Sequence, residues 1–326
     1  MARTAEAAIT VAELGEFGLI AAIQSVLPPE KHAMVGIGDD AAVLPAADGR
    51  VVATTDLLVE SRDFRRDWSA PHDIGIKAAA QNLADIAAMG AVPTGLLFGL
   101  AVPGSLAAAW VLELARGLAE ECSRAGASIV GGDVTGADMV MLAITALGDL
   151  AGLDPVTRAG AKPGQVIALS GPVGWSAAGL AMLQAGRADS PAGPEMAALL
   201  TAHRRPQPDY AQGPIAAAAG ASAMIDVSDG LVADLGHVAD ASEVWLDIRT
   251  ADLPVTGPLR AAAATLRTDW LEWALGGGED HALAATFPEK GAVPQTWTVI
   301  GSVRQGSGVS VDSSAWRGVP GWEHFR

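Results

Sequence analysis

A two-domain α/β protein is the fold class that the sequence predicts, on three observations. The chain has 326 residues, and roughly 150 residues make an ordinary domain. Short β-branched runs alternate with longer stretches of helical apolar spacing through both halves. Near residue 150 the texture shifts to the turn-rich "LDPVTRAGAKPGQ", which sets a domain boundary between 1–150 and 151–326. Half of the residues are hydrophobic and 18% are charged, enough to bury a sizeable core.

Taken in order, "TVAELGEFGLIAAIQSVL" has its apolar residues at helical spacing. "VVATTDLLVE" and "TGLLFGLAVP" read as strands, with the helix-like "APHDIGIKAAAQNLADIAAMGA" between them. A helix follows over 105–124, then "SIVGGDVT" and "MVMLAITALGDL" look like a pair of strands. In the second half "GQVIALSG" is a fresh strand and "SGPVGWSAAGLAML" a glycine-bearing helix start, its glycines serving tight strand-to-helix packing. The Pro-rich "HRRPQPDY" is a link, followed by strand and helix again, and "GAVPQTWTVIGSV" is a late strand. No short-period repeat is present.

The net charge of −16 argues against nucleic acid or an anionic membrane as a partner. A single cysteine, Cys122, excludes an internal disulfide framework and points to a reducing, cytoplasmic setting. It lies in a helical stretch as a half-buried hydrophobe rather than a nucleophile. The amino end lacks the apolar core of a signal peptide. Residues 86–112 carry no charge, yet two prolines and four glycines break the tract. It reads as a buried strand closed by Pro-Gly rather than a membrane span, so a soluble chain is expected.

Acids recur where strands end. "GIGDDAAV" carries Asp39 and Asp40, "VATTDLLV" has Thr54, Thr55 and Asp56, and "NLADIAAMG" holds Asp85. "IVGGDVT" places Asp133 behind Gly132, and "MIDVSDGLVADLGH" brackets Ser228 with Asp226 and Asp229. Two carboxylates about 4 Å apart repel by roughly 4 kcal/mol at an effective dielectric near 20, so something must offset them. Glycine before an acid admits close approach and leaves N–H groups for phosphate oxygens. Oxygen donors without cysteine or a histidine pair suit Mg²⁺ or Mn²⁺ rather than zinc. An Asp N-cap in "SDGLVADL" and an ordinary turn in "VTGAD" are the plain alternatives. P-loop, protein-kinase and Rossmann signatures are absent.

In sequence order "GIGDDAAV", "TTDLLVE", "NLADIAAMGA", "GGDVT", "TRAGAKPGQ", "IDVSDGL", "GGED" and "GWEHF" resemble the thiamine-monophosphate kinase family, collinearly over residues 14–325. Some of these words are shared with aminoimidazole ribonucleotide synthetase, selenophosphate synthetase and a hydrogenase maturation protein. The resemblance implies a two-domain aminoimidazole ribonucleotide synthetase-like α/β (α+β) fold, with an N-terminal mixed sheet that forms a barrel in a homodimer. It implies that 1–150 binds ATP and magnesium and that 151–326 completes the ATP and substrate site. It implies ATP-dependent, in-line phosphorylation of thiamine monophosphate to thiamine diphosphate with several Mg²⁺ ions and no covalent nucleophile. By motif position the metal ligands are Asp39, Thr54, Thr55, Asp56, Asp85, Asp133, Asp226 and Asp229. Gly132, Asp133, Arg158 and Ser228 fall at ATP, and Glu279 and Trp322 at the substrate.

Two departures stand out. The family pattern "TDxLVEGxHF" is here "TDLLVESRDF", with Ser61 at the glycine and Asp63 at a substrate-side histidine. After "GGED" the usual aromatic and glutamate give way to His281 and Ala282. Asp63 motivates an alternative: a sister ATP-dependent enzyme with another acceptor. A non-catalytic ATP-binding regulator is the third reading. Selenophosphate synthetase and hydrogenase maturation are disfavoured because the reactive cysteines that they need are missing.

Overall fold

Residues 9–31, 33–37, 41–187 and 193–322 are described by a computed structural model and fall into two units. The first takes in the described residues up to Ala46 with Ala53–Asn82 and Pro93–Leu147. The second takes in Ala47–Val52, Leu83–Val92 and the described residues from Gly148 on. Asp39 and Asp40, and the last residues of "GWEHF", lie outside the described residues.

In the first unit α1 (Val11–Val26) starts at a capping box, in which Thr10 Oγ1 accepts the Glu13 N–H and Glu13 accepts the Thr10 N–H (2.8 Å). A four-stranded sheet has the order β1-β4-β2-β3, with β1 at Val52–Val59, β2 at Val92–Val102, β3 at Ser128–Gly136 and β4 at Met141–Asp149. Helix α2 (Pro71–Ala88) precedes β2, and α3 (Ala108–Ala125) is the crossover between the parallel strands β2 and β3. Thus β3 and β4 are strands but not neighbours, because β2 lies between them. Long-range pairing decided this, and adjacency in sequence carried no information about it. The charge-free tract resolves into the end of α2, strand β2 closed at Pro103–Gly104, and the start of α3. Among the described residues no helix is long and apolar enough to cross a membrane.

Helices α2 and α3 touch through glycines. A Cβ on Gly75 would sit 2.1 Å from the Leu114 carbonyl oxygen, and one on Gly117 would sit 2.0 Å from that of His72. Backbone therefore packs on backbone, and Ile74, Ala78, Ala79 and Leu118 are fully buried around the crossing. Cys122, on α3, is wholly buried and its thiol is pushed far above its ordinary range by that burial, so it is not the half-exposed residue expected.

The second unit is built on a seven-stranded sheet of order β11-β10-β7-β9-β5-β8-β6. Its strands are β5 (Val166–Ser170), β6 (Ala223–Val227), β7 (Val244–Ile248), β8 (Ala282–Phe287), β9 (Thr298–Gln305), β10 (Gly308–Val311) and β11 (Ser314–Ala315). Strands β6, β8, β5, β9 and β7 pair antiparallel in turn, and β10 runs parallel to β7. Every residue of β8 is buried, as its continuous apolar run requires of a strand covered on both faces. The helices are α4 (Trp175–Gln184), α5 (Pro194–Arg204), α6 (Gln212–Ala218), α7 (Leu231–Ser242), α8 (Gly257–Leu266) and α9 (Trp270–Gly276). Of the glycines of "GPVGWSAAG", Gly171 packs against Ala282 of strand β8, whereas the other two serve contacts between helices. Gly174 (φ 81°) lies against the backbone of α9, and a Cβ on Gly179 would meet the Leu199 carbonyl oxygen of α5 at 2.2 Å.

The α2–α3 crossing makes a paired prediction. Gly117→Ala lowers the melting temperature, by a loss of about 1–3 kcal/mol or more, because the added methyl forces the helices apart. Gly236→Ala, in α7 with open space around it, leaves stability unchanged or raises it by up to about 1 kcal/mol. Thermal melts of both variants check this.

Candidate active site

Two glycine-bearing turns meet at the carboxyl end of β6. The first, Ser228-Asp229-Gly230, links β6 to α7. The second, Gly276 to Asp280, links α9 to β8. A Cβ on Gly278 would lie 2.2 Å from the Ser228 carbonyl oxygen, and one on Gly230 (φ 138°) would lie 2.9 Å from the carbonyl of Gly276. The Glu279 N–H donates to Ser228 O (2.7 Å) and the His281 N–H to Val227 O (3.0 Å). Glu279 and His281 both hold left-handed backbone, at φ 63° and 52°. Residues 319–322 cross the first turn: the Trp322 N–H donates to Asp229 O (2.9 Å) and the Ala233 N–H to Pro320 O (3.1 Å). The Trp322 side chain is 63% exposed.

The acids around these turns are buried together. Asp226 is only 3% exposed and its Oδ2 lies 3.1 Å from His281 Nδ1. Asp234, on α7, accepts the N–H groups of Asp229 (3.1 Å) and Gly230 (3.0 Å). The N-cap of α7 is Gly230, so the aspartate that ties this turn is Asp234 rather than Asp229. Burial, then the charge of Asp226, push the Asp234 carboxyl up to about 7, although the Gly230 N–H pulls the other way. Burial works against a charge on His281, but the bond to Asp226 and the charges of Asp226, Asp85 and Glu279 outweigh it and raise its pKa. Asp280 accepts the Gly174 and Ser176 N–H groups (Ser176 at 2.8 Å) at the start of α4, while burial pushes its carboxyl up to about 7. Arg158 is exposed beside β6, where the Met224 N–H bonds Thr157 O and the Ser242 hydroxyl bonds Arg158 O.

In the first unit the pleat puts Thr54 and Asp56 half-buried on one face of β1 and Thr55 exposed on the other. Thr55 Oγ1 donates to Ile144 O (2.9 Å). Gly132 and Asp133 lie on β3 beyond a register shift between Leu96 and Leu97 of β2. That bulge ends a fully buried run, Ser128 to Val130, and turns Asp133 out to solvent. A Cβ on Gly132 would lie 2.1 Å from Phe98 O, so the position requires glycine. Strands β1 and β3 are opposite edges of their sheet, roughly 14 Å apart at ordinary strand spacing. One Mg²⁺, which binds oxygen at about 2 Å, cannot bridge them within this unit. Asp63 is a turn device: its carboxylate accepts the Val59 N–H (2.8 Å), and Ser61 at φ 69° takes the backbone that the family pattern gives to glycine.

The sequence reading missed Ser176, His203 and Asp280, which act on the site through contacts distant in sequence, and Asp234, which ties the turn four and five residues before it. Only the glycine loop ahead of Ser176 hinted at close packing there. His281 stood out as a departure from a pattern, without a partner.

Comparison with known proteins places this geometry. Residues 38–150 match the family described as AIR synthase related protein, N-terminal domain. Thiamine-monophosphate kinase of Mycobacterium tuberculosis (strain ATCC 25618 / H37Rv) is 47% identical over 318 residues, 97% of this chain and 93% of the relative. The chain belongs to the thiamine-monophosphate kinase family. The Corynebacterium glutamicum member is 41% identical over 323 residues, 97% of this chain and 95% of its own. The crystal structure of thiamine-monophosphate kinase from Stenotrophomonas maltophilia K279a superposes with a TM-score of 0.80 at 32% identity, over 91% of this chain and 96% of that one. The structure of AaThiL complexed with AMPPCP and TMP gives the same score and identity over 96% and 98%. Hydrogenase maturation protein HypE, at 20% identity and a TM-score of 0.72, shares the fold.

The donor set fits the magnesium that this family implies. Among the described residues no three carboxylate, histidine or cysteine side chains form a ready-made metal cage. Mg²⁺ does not need one, since it keeps several waters and takes one or two carboxylates plus substrate phosphates. Asp226 and Asp229, crowded with Asp234, are oxygen donors whose mutual repulsion a divalent cation relieves.

The burial of Asp280 makes a pH prediction for the metal-free protein. Between its ordinary value of 3.8 and about 7, the folded chain holds a proton on Asp280 that the unfolded chain has released. Its contribution to stability therefore falls as pH rises through that window, by up to about 1.4 kcal/mol per pH unit. Chemical denaturation between pH 5 and 7.5 is expected to show this decline on top of the one that Asp234 adds over the same window, and Asp280→Asn to make the slope shallower without abolishing it. An identical slope in the variant would refute the assignment.

Proposed function

We propose that this protein transfers the terminal phosphoryl group of ATP to thiamine monophosphate, giving thiamine diphosphate and ADP. The observation that carries the reading is 47% identity to a thiamine-monophosphate kinase across 97% of the chain. A member of the fold described as complexed with AMPPCP and TMP, an ATP analogue beside a second ligand, supports it. An oxygen on the acceptor phosphate forms the new P–O bond while the bond between the γ-phosphorus and the bridging oxygen breaks, and ADP carries that oxygen away. No covalent enzyme intermediate is needed, which suits turns lined with acids and backbone rather than with an exposed nucleophile.

Within this reading Asp39, Thr54, Thr55, Asp56, Asp85, Asp133, Asp226 and Asp229 would hold several Mg²⁺ ions. When bound, Mg²⁺ offsets the repulsion between the triphosphate and the acceptor phosphate. Gly132 leaves its backbone open to phosphate, Ser228 and Arg158 contact ATP, and Asp63, Glu279 and Trp322 contact the substrate. The exposed indole of Trp322 offers a flat face to its cationic ring. Domains 1–150 and 151–326 are read as the ATP/magnesium and dimerisation half and the half that completes the site. A homodimer is supported by the first unit's sheet, where Leu57 is 62% exposed beside the exposed Thr55 and Ala143. The reducing environment inferred from one buried cysteine supports a cytoplasmic setting.

Purified protein with both substrates and Mg²⁺ is expected to form ADP and thiamine diphosphate in equal amounts, and Asp56→Asn to lose on the order of 100-fold in kcat. Slow ATP hydrolysis alone, or turnover only with another phosphate acceptor, would sink the reading. Light scattering is expected to give twice the chain mass, and Leu57→Asp to halve it.

A further inference from the structure

Glu279 is held from behind. Its backbone is left-handed, and its neighbours on either side are tied down, Gly278 against Ser228 O and Asp280 to the start of α4. Its carboxylate is 36% exposed, yet Oε2 lies 3.3 Å from His203 Nδ1 and 3.4 Å from Ser176 Oγ. Ser176 Oγ and His203 Nδ1 are themselves 3.0 Å apart, and both residues are buried. His203 comes from the last turn of α5, which reaches this point because Gly179 lets α5 close onto α4. The trio is not a nucleophilic triad, since serine and carboxylate meet the same ring nitrogen and Ser176 is out of reach of solvent. Nor is it a self-contained polar knot in the core, because one end is a partly exposed carboxylate. With the proton on Nδ1 the ring donates toward both oxygens, and the serine hydroxyl is left to donate to Oε2.

We infer that Ser176 and His203 are positioning residues, which clamp Oε2 and present the Glu279 carboxylate to the cationic ring of the phosphate acceptor. This rests on the reading above that Glu279 meets that substrate. A long flexible carboxylate loses rotamer freedom when it binds a cation, and a clamp that has already removed that freedom strengthens binding. The clamp therefore acts on acceptor affinity and not on ATP.

The test is steady-state kinetics of the Mg²⁺-loaded protein with each substrate varied, alongside calorimetric binding of thiamine monophosphate and thermal melts. Ser176→Ala and His203→Leu are expected to raise KM and Kd for thiamine monophosphate about tenfold without a matching change in KM for ATP. His203→Asn, whose amide nitrogen stands near the place of Nδ1, is expected to recover most of the loss. Glu279→Gln raises the same KM, and adding His203→Leu to it changes little further. Equal rises in both KM values, losses that follow the melting temperature, or full additivity with Glu279→Gln would overturn the clamp. If Glu279→Gln leaves acceptor binding unchanged, the substrate role of Glu279 fails and takes the clamp with it. Wild-type protein that neither binds nor phosphorylates thiamine monophosphate would overturn the functional reading itself.

Discussion

The second unit is organised around negative charge packed closer than water would allow. Asp226 and Asp234 are almost wholly buried, Asp229 lies between them in sequence, and the charges of Asp85 and Glu279 reach the same histidine. Carboxylates a few ångströms apart in a partly desolvated site repel by several kcal/mol. The folded chain meets that with one imidazole, His281, and with backbone N–H groups aimed at Asp234 and Asp280. What those donors leave uncompensated is an affinity for cations, and a phosphate-handling protein can use it to draw divalent ions to its substrates.

Glycine is how the backbone gets close enough to supply those donors. The turns at 228–230 and 276–280 touch main chain to main chain, at distances where a single methyl group would collide. The same device sets α2 on α3 and α4 on α5, so that charged side chains are positioned by rigid crossings rather than by loose loops. The left-handed backbone of Glu279 and His281 is the strain stored in that arrangement.

Much of this was legible beforehand. The strands around "TTD", "GGD" and "IDV", the buried charge-free tract and the α/β class follow from local pattern, because burial of a strand leaves its mark on consecutive residues. Pairing does not leave such a mark: β3 and β4 read as partners, and β2 separates them. The bulge that turns Asp133 outward depends on register against β2, which no single strand encodes. Asp234 looked like one more helix residue until the turn that it holds was in view. His203 lies far from Glu279 in sequence, and only the crossing at Gly179 joins them.

The crossing of residues 319–322 over the 228–230 turn bears on the order in which the protein matures. On the ribosome β6 and the Asp229 turn emerge long before Pro320 and Trp322 exist, and chains fold as they appear. Until translation has passed residue 322, the nascent turn lacks its bond from the Trp322 N–H, and the start of α7 lacks the bond from Ala233 to Pro320. The acids that this turn carries are therefore fixed in their final places only once the far end of the chain has been made.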